Sequence, residues 1–287
     1  MMHLIIDSGA TKTEYLFTDG NSVLLRFANR GFNCNYVEDD EIRNILVGFV
    51  TVLSRAIEQL PEKISFFGAG CGNTVNAERI RSILKTIFPI NCITVDSDLK
   101  SACIALCNQD AGWIGILGTG SSSCFYNGNE IVEITPSLGY LLGDEGSGTH
   151  IGKLFVAKYL ENAWEDTVRI SFEKEFQIDR NSVLQKLYQQ PNPNRFLSSI
   201  APFLLQHIDN EMIKGICYDA FEQFFQKQSR YFQHHYTEIS LSGSIAFYFQ
   251  DIIAEVAQKQ NICLKKIIAS PMDLFNNYPE YLSNFYL

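Results

Sequence analysis

The chain has 287 residues, of which 46% are hydrophobic and 19% charged, and this balance excludes a disordered protein while allowing two domains with cores of their own. The formal net charge of -9 argues against a protein that grips nucleic-acid phosphates with a basic surface. No apolar run reaches the roughly 18 residues of a membrane-spanning helix, and the stretch Met1–Ile6 is short for a signal-peptide core. We therefore expect a cytoplasmic protein with no nucleic-acid or membrane partner.

The cysteines are scattered through mostly apolar segments, which is typical of reduced, buried thiols in a cytoplasmic protein. Cys103 and Cys107 could share one face of a helix, but two ligands do not complete a zinc site. Core packing is the favoured interpretation for all eight: Cys34, Cys71, Cys92, Cys103, Cys107, Cys124, Cys217 and Cys263.

The chain begins with three predicted strands. A short apolar strand at His3–Asp7 is followed by a polar turn at Ser8–Thr13 and by strands at Glu14–Thr18 and Ser22–Phe27. Asp19-Gly20-Asn21 between the last two is a strong hairpin signal. The turn at Ser8–Thr13 joins strand to strand, so it is neither a Walker nor a Rossmann loop, because both of those join a strand to a helix.

Helices and strands then alternate. The spacing of apolar residues predicts the helices Glu38–Gln59, Asn76–Phe88 and Leu99–Cys107. Between them lie the predicted strands Ile64–Phe67 and Ile93–Val95, the second of which ends just before Asp96-Ser97-Asp98. Parallel units added to an antiparallel meander indicate an α/β protein, a mixed sheet with helices on both faces.

The same pattern starts again after Gln109-Asp110, where we place a hinge between domains 1–109 and 110–287. Strands are predicted at Trp113–Leu117, Ser123–Tyr126 and Glu130–Ile134. A glycine-rich turn at Gly118–Ser121 joins the first two of these strands, as Ser8–Thr13 does in the first meander. The repetition predicts a duplicated domain, with two donor-rich turns facing each other across a central cleft.

The rest of the second domain holds another glycine-rich loop, Gly139–Gly148, which carries the adjacent carboxylates Asp144 and Glu145. Residues 151–236 are predicted to form a helical insertion, with breaks at 179–181 and 191–194. The final elements are a strand at 238–241, a Ser242-Gly243-Ser244 turn, a helix at 245–258, a strand at 265–269 and a helix at 272–285. We expect that last helix to be able to pack back on the N-terminal domain.

Glycine-rich turns and strand-end acids suit phosphoryl transfer. Closely spaced backbone N–H groups form anion-binding concavities, and glycine lets the backbone approach a ligand. Phosphoryl transfer needs such donors, a carboxylate near Mg²⁺, and a group that orients or deprotonates the acceptor hydroxyl. Each of these parts has a candidate in the chain.

Four stretches, Asp7–Thr13, Leu117–Ser121, Leu142–Ser147 and Leu241–Ser244, fall in the order and spacing of the sugar kinase, actin and heat-shock ATPase superfamily. Within it, Gly139–Gly148 resembles the loop of the N-acetylglucosamine kinase and BadF/BadG/BcrA/BcrD ATPase family. The resemblance covers nearly the whole chain. It implies two duplicated ribonuclease H-like (actin-like ATPase) domains with mixed sheets, and ATP and Mg²⁺ as cofactors.

The resemblance also implies roles for individual residues. Asp7 is similar to the acid that reaches Mg²⁺, usually through water. Asp98 resembles the base that takes the proton from the sugar 6-hydroxyl, with Asp96 as the competing candidate. The implied ATP-binding residues are Thr11, Lys12, Thr13, Gly118, Thr119, Gly120, Gly243 and Ser244. The implied substrate-binding residues are Asn33, Asp98, Ser122, Gly139, Asp144 and Glu145.

Other interpretations of these residues stay open. Asp98 could serve as the N-cap of the helix that follows it, and Glu145 could brace the backbone instead of contacting sugar. Ala10 keeps the first turn intact only if its φ stays negative. Ser122 stands where many relatives carry an asparagine that contacts the acyl-amino group, and Cys34 stands where proline is common.

The resemblance predicts an ATP-dependent kinase, acting on the 6-hydroxyl of N-acetylglucosamine or N-acetylmuramic acid. Because dimers are common among similar kinases, a homodimer is a candidate assembly. One alternative is an ATPase that activates a 2-hydroxyacyl-CoA dehydratase through an iron–sulfur cluster, although Cys124 and Cys217 do not lie in glycine-flanked loops. A second alternative is a sugar or nucleotide sensor that does not turn over.

Overall fold

A computed structural model describes residues 1–57, 59–232 and 237–277, with side chains described to Phe275. The later part of the predicted helix 272–285 and the end of the predicted insertion 151–236 lie outside the described residues. The described chain is an α/β protein with two mixed five-stranded sheets, as the sequence predicts. None of its helices combines the length and the apolar character needed to cross a membrane.

The two sheets repeat one strand order. The first is ordered β3-β2-β1-β4-β5 and the second β10-β9-β6-β7-β8, so that each places its meander beside two later strands. In the first sheet β1 is antiparallel to β2 and parallel to β4. The duplication is therefore confirmed. The strands are β1 (His3–Ser8), β2 (Lys12–Thr18), β3 (Val23–Arg30), β4 (Lys63–Gly68), β5 (Cys92–Ser97), β6 (Gly112–Leu117), β7 (Ser121–Tyr126), β8 (Ile131–Ile134), β9 (Glu238–Ser242) and β10 (Cys263–Ile268).

The helices follow the predicted alternation with shifted ends. They are α1 (Asp39–Ala56), α2 (Thr74–Ile87), α3 (Asp98–Cys107), α4 (Gly139–Leu142), α5 (Gly148–Leu160), α6 (Asp166–Phe176), α7 (Arg180–Tyr188), α8 (Pro193–Ser198), α9 (Ala201–Gln206), α10 (Glu211–Phe232), α11 (Ser244–Tyr248), α12 (Gln250–Lys259) and α13 (Pro271–Asn277). Helix α1 shows why the periodicity works, since Ile42, Leu46, Phe49 and Leu53 form its buried stripe.

Some predicted boundaries were wrong for local reasons. Helix α2 begins two residues early because the Asn73 side chain accepts a hydrogen bond from the N–H of Asn76 at 2.8 Å and caps the helix. The predicted helix at 245–258 is divided at Phe249 into α11 and α12. Helix α4 lies inside the glycine-rich loop, where no helix was predicted.

The described residues form two compact units, one comprising Met1–Ile114, Cys124–Glu133 and the residues from Ser270, the other Gly115–Ser123 and Ile134–Ala269. In the first unit, the rings of Tyr15 and Phe49 stack with their centroids 4.2 Å apart. In the second, Phe155 is fully buried at the centre of an aromatic cluster. The aromatic residues of the helical region thus form core, as predicted; those contacting Phe155 are Trp164, Phe172 and Phe203.

Helix α13 packs against α3 and β2 in the first unit. Ser270 donates a hydrogen bond of 2.6 Å to the buried carboxylate of Glu14, and Asp273 lies 2.6 Å from Arg26. Glu14 also pairs with Arg26 at 2.8 Å, so one buried acid ties the strand β2 to the C-terminal helix. Helix α13 therefore completes the packing of the first unit.

The prediction that all the cysteines are buried was wrong for Cys92 and Cys263, which are exposed near the ends of edge strands. The other thiols are buried or half-buried. Cys34 and Cys71 bring their sulfur atoms to 3.2 Å, and Cys103 and Cys124 bring theirs to 3.5 Å. Within the described residues, no three metal-ligating side chains gather into a metal cluster.

Candidate active site

Two partly exposed carboxylates, Asp7 on β1 and Asp98 at the start of α3, form the acidic centre of the first unit. Strand β5 continues to Ser97, so Ser97 is the N-cap residue and Asp98 is the first residue of the helix. The interpretation of Asp98 as an N-cap is therefore wrong. Its carboxylate accepts a hydrogen bond of 3.1 Å from the N–H of Leu99, which orients it at the helix start.

The surroundings raise the pKa of both acids. Loss of hydration, followed by repulsion from Asp98, raises the pKa of Asp7 to about 8. The hydroxyl of Ser101 opposes this shift by donating a hydrogen bond of 3.0 Å to Asp7. Loss of hydration also raises the pKa of Asp98 to about 6, against the lowering effect of the Leu99 N–H. The two acids are electrostatically coupled, with Asp98 titrating nearer neutrality than an ordinary aspartate.

The donor atoms at this centre fit Mg²⁺. Mg²⁺ prefers oxygen ligands and is commonly held by one or two carboxylates together with substrate phosphates and water. Asp7 provides such an oxygen, and Asp98 is close enough to raise its pKa. A cation beside Asp7 would offset the repulsion between the two carboxylates. The residues present therefore suit the cofactor that the resemblance implies.

The first glycine-rich turn is built on Gly31. The N–H of Gly31 donates to the carbonyl of Thr11 at 2.8 Å, and Gly9 donates to Lys12 at 3.0 Å. A Cβ atom on Gly31 would come within 2.2 Å of the Gly9 carbonyl, so only glycine fits beneath the turn. Ala10 has a negative φ, and from the sequence the turn is expected to stay intact only in that case.

The side chains of this turn point in different directions. Thr11 and Lys12 are exposed, whereas Thr13 is fully buried, with its hydroxyl 2.8 Å from that of Ser8. The Lys12 ammonium lies 3.1 Å from the carboxylate of Glu14. Burial acts to raise the pKa of Glu14, but hydrogen bonds from Ser270 and Arg26 and the charge of Lys12 lower it overall. Thr11 and Lys12 are therefore the residues of this turn whose side chains are accessible to a ligand.

In the second unit, the turn at Gly118–Gly120 is joined to the start of α5. The carbonyl oxygens of Gly118 and Thr119 accept hydrogen bonds of 2.9 and 3.1 Å from the N–H groups of Gly148 and Thr149. These bonds connect the two glycine-rich stretches that the sequence placed about thirty residues apart. The two hydrogen bonds restrain the carbonyl oxygens of Gly118 and Thr119, and so they stabilise the backbone conformation of the turn.

We call Gly139–Gly148 the sugar loop, after the role that the resemblance implies. Its Asp144 has a left-handed backbone, with a φ of 58°, which is unusual for a residue other than glycine. The carboxylate of Asp144 lies against Gly120 and accepts a hydrogen bond from the N–H of Ser121. Loss of hydration raises the pKa of Asp144, while the Ser121 N–H and the charges of Lys153 and Lys227 oppose the shift.

Glu145 is paired with a lysine. The Lys227 ammonium on α10 lies 2.7 Å from the Glu145 carboxylate. Burial acts to raise the pKa of Glu145, but the hydrogen bond from Lys227 lowers it overall. This ion pair supports the bracing interpretation of Glu145. Both residues also line a cavity of about 360 Å³ whose other walls are Leu138, Gln223, Gln226, Arg230 and Tyr231.

A third turn of this unit, at Gly243, meets the turn that begins at Gly118. Gly243 has a φ of +115°, and a Cβ atom there would come within 2.3 Å of the carbonyl of Leu117. The turn that precedes α11 is therefore packed directly on the end of β6. Ser244, the first residue of α11, is exposed.

The remaining predicted sugar contacts are Asn33 in the first unit and Ser122 and Gly139 in the second. Asn33 is half-buried, and its side-chain oxygen accepts a hydrogen bond of 2.9 Å from the N–H of Asn35. That oxygen also lies against Gly70, where a Cβ atom would approach it to 2.6 Å. Ser122 is half-buried on β7, and Gly139 begins α4 with a φ of +68°.

Several supporting residues were missed from the sequence. Ser101 lies one helical turn after Asp98, and that spacing could have indicated a side chain near the acid pair. Lys227 is 82 residues away from Glu145, and no local sequence pattern predicts an ion pair over that separation. His150, two residues after the end of the sugar loop, was also missed.

The chain is 32% identical to a protein from Porphyromonas gingivalis whose crystal structure is named a putative N-acetylglucosamine kinase, over the full length of both chains and with a TM-score of 0.91. The chain belongs to the sugar kinase, actin-like ATPase family. Membership of this family supports a kinase enzyme.

Two less similar solved structures share the fold. A protein of the same name from Chromobacterium violaceum is 12% identical with a TM-score of 0.76, covering 97% of this chain and 98% of that one. A ROK-family glucokinase from Streptomyces griseus, solved with glucose and AMPPNP, is 12% identical with a TM-score of 0.57, covering 99% of this chain and 98% of that one. No protein-family model matches the chain, and a search of curated proteins finds no match.

Proposed function

We propose that this sugar kinase uses ATP and Mg²⁺ to phosphorylate the 6-hydroxyl of an N-acetylated amino sugar, N-acetylglucosamine or N-acetylmuramic acid. The observation that carries the proposal is the pair of desolvated carboxylates, Asp7 and Asp98, at the strand and helix ends of the first unit. The choice of an amino sugar is supported by the name of the relative from P. gingivalis, whose whole length this chain matches.

Asp98 is the proposed base. With a pKa raised to about 6, the carboxylate is ionised at neutral pH and is a stronger proton acceptor than an ordinary aspartate. It would accept the hydroxyl proton as the hydroxyl oxygen forms its bond to the γ-phosphorus and the bond to the ADP oxygen breaks. The Leu99 N–H holds the carboxylate at the helix start and limits its rotation.

Asp7 is the proposed Mg²⁺-binding acid, through a coordinated water. Ser101 fixes one of its oxygens by a hydrogen bond of 3.0 Å. When bound, Mg²⁺ would neutralise charge on the phosphates. Thr11 and Lys12 are proposed to contact phosphate in the first unit, and the glycine-rich turn at Gly118–Gly120 in the second. Gly243 and Ser244 are proposed to contact the adenosine.

The sugar hydroxyls are proposed to be bound by Asp144, with Asn33 and Gly139 as further contacts. Asp144 suits this role because its carboxylate is held by the Ser121 N–H and yet keeps accessible surface for a ligand. Ser122 is proposed to lie near the acyl-amino group, where its hydroxyl offers a shorter reach than an asparagine amide. Glu145 is proposed to hold the loop through Lys227.

An ADP-release assay tests this function directly. Purified protein with ATP and Mg²⁺ would be given N-acetylglucosamine, N-acetylmuramic acid, N-acetylmannosamine or glucose, with matched samples containing EDTA. We expect ADP release that depends on both Mg²⁺ and an N-acetylated sugar, with the 6-phosphate as product by mass spectrometry. Sugar binding without ADP release would contradict the proposal and favour a sensor that does not turn over.

A further inference from the structure

Three side chains of the second unit hold the sugar loop in place by hydrogen bonds or ion pairs. The Lys153 ammonium donates to the carbonyl of Tyr140 at 2.6 Å, and Lys227 pairs with Glu145 at 2.7 Å. The third attachment is made by His150 to the backbone of Gly146, between the predicted sugar ligand Asp144 and the N-cap Ser147 of α5. Two of the attachments use charge, and the third uses a neutral ring.

The bond between His150 and Gly146 has only one possible direction. The Gly146 N–H can act only as a donor, so the Nδ1 atom of His150, 3.2 Å away, accepts the hydrogen bond. The ring must then be neutral, with its proton on Nε2. His150 is 7% exposed, and its own N–H donates to the Ser147 hydroxyl oxygen at 3.1 Å. The histidine is therefore fixed at both its backbone and its ring.

Gly146 has little freedom to move without disturbing Asp144. Its φ is +76°, and a Cβ atom there would come within 2.8 Å of Phe224 on α10. The N–H of Ser147 donates to the carbonyl of Asp144 at 3.0 Å, closing a tight turn around Glu145 and Gly146. A shift of the Gly146 peptide would therefore also displace the left-handed backbone of Asp144 and its carboxylate.

We propose that His150 is a positioning residue for sugar binding: its neutral ring accepts the Gly146 N–H and so fixes Asp144 in the orientation that binds the sugar hydroxyls. The inference rests on the proposed function for its consequence in catalysis, but the hydrogen bond itself can be tested without any substrate. Protonation of Nδ1, or loss of the ring nitrogen, would leave the buried Gly146 N–H without its acceptor.

The electrostatic surroundings keep the ring neutral. Burial, and then the charge of Lys153 on the same helix, lower the pKa of His150 to about 4. Glu145 on the sugar loop acts in the opposite direction, and Lys227 on α10 adds to the lowering. The attachment should therefore hold at neutral pH and weaken only in acid, where Asp144 also becomes protonated.

Two substitutions separate a positioning role from simple packing. In His150→Asn the amide oxygen can occupy the position of Nδ1, so an acceptor remains that does not titrate. In His150→Leu the side chain keeps comparable bulk but has no acceptor. The conservative variant should retain the loop geometry, whereas the apolar variant should lose it.

Steady-state kinetics with the full-length protein, ATP and N-acetylglucosamine provide the first readout. We expect His150→Leu to raise the sugar KM about tenfold, the effect of one lost hydrogen bond to a buried donor, with kcat and the ATP KM changed less than about threefold. We expect His150→Asn to stay within about threefold of the wild type.

Amide hydrogen exchange at Gly146 provides the second readout and needs no sugar. His150→Leu should speed exchange at Gly146 about tenfold over the wild type, since the N–H loses its acceptor, and His150→Asn should not. Equal exchange in all three proteins would overturn the inference, as would an unchanged sugar KM in His150→Leu. If His150→Leu does not fold, the tautomer of His150 in the wild-type protein decides: we expect the proton on Nε2 by nitrogen-15 NMR, and a proton on Nδ1 would overturn the inference. If the wild type phosphorylates no sugar, the proposed function fails, and exchange at Gly146 still decides whether His150 holds the loop.

Discussion

A Cβ atom placed on Gly120 would stand 2.9 Å from the carboxylate oxygen of Asp144, inside normal contact distance. The absence of a side chain in the second glycine-rich turn is what leaves room for the acid of the sugar loop. Gly118, two residues earlier, differs from Gly120 because a Cβ atom there would meet nothing within 4 Å. Gly120 is therefore needed to leave space for the Asp144 carboxylate, whereas packing does not require a glycine at position 118.

Gly120→Ala should push the Asp144 carboxylate aside and raise the sugar KM by about tenfold or more, because a displaced ligand group loses its hydrogen bonds to the hydroxyls. Gly118→Ala is the matched variant. It adds the same methyl group in open space, so its effect should fall on the ATP KM while the sugar KM stays near the wild-type value. Equal sugar KM values in the two variants would contradict the account of Asp144. The measurement is a two-substrate kinetic matrix for the three proteins.

Gly152 on α5 and Gly215 on α10 predict opposite effects of the same substitution on stability. A Cβ atom on Gly152 would come within 2.1 Å of the carbonyl of Leu197, where α5 and α8 pack backbone to backbone. Gly152→Ala should lower the free energy of unfolding by about 1–3 kcal/mol, the usual cost of overpacking. Gly215→Ala meets nothing within 4 Å and should raise it by about 0.5–1 kcal/mol, because alanine is the better helix former. Urea denaturation of both variants checks the signs.

The buried His3 predicts loss of stability in acid. Burial, and then the charge of Lys63, lower the pKa of His3 from 6.5 to about 3 in the folded protein. The unfolded chain therefore takes up the proton first as the pH falls below about 6.5, and the contribution of His3 to the free energy of unfolding falls by about 1.4 kcal/mol for each pH unit towards 3. His3→Gln keeps a polar group near Ser65, which contacts Nε2 at 3.0 Å, and removes the titration. Its stability should fall less steeply between pH 6 and 4, and parallel curves would contradict this prediction.

Much of the fold could be predicted because the sequence carries local signals for it. Asp19-Gly20-Asn21 and Asn127-Gly128 indicate the hairpins of the two meanders, and the apolar periodicity indicates α1 to α3. The short helix α4 escaped prediction because four residues with glycine at one end give no periodicity. The break at Phe249 escaped it because the apolar pattern continues through both α11 and α12.

The site residues were predictable where a motif carries them and unpredictable where a distant side chain does. Asp7, Asp98 and Asp144 stand in stretches whose order resembles the family. Ser270, by contrast, is 256 residues from Glu14, and only the folded chain brings them together. The ion pair between Glu145 and Lys227 was unpredictable for the same reason, because it depends on one residue of α10 that is far from Glu145 in the sequence.

The central claim is that Asp98 deprotonates the sugar hydroxyl, and Asp98→Asn tests it most directly. Asp96→Asn is the matched control, because Asp96 is the competing acid, two residues earlier and exposed. Both variants would be assayed for ADP release with saturating ATP, Mg²⁺ and N-acetylglucosamine, and for nucleotide affinity by titration. We expect Asp98→Asn to lower kcat by roughly 10²–10⁴-fold with little change in nucleotide affinity, and Asp96→Asn to stay near the wild type. Near-normal turnover by Asp98→Asn would contradict the account.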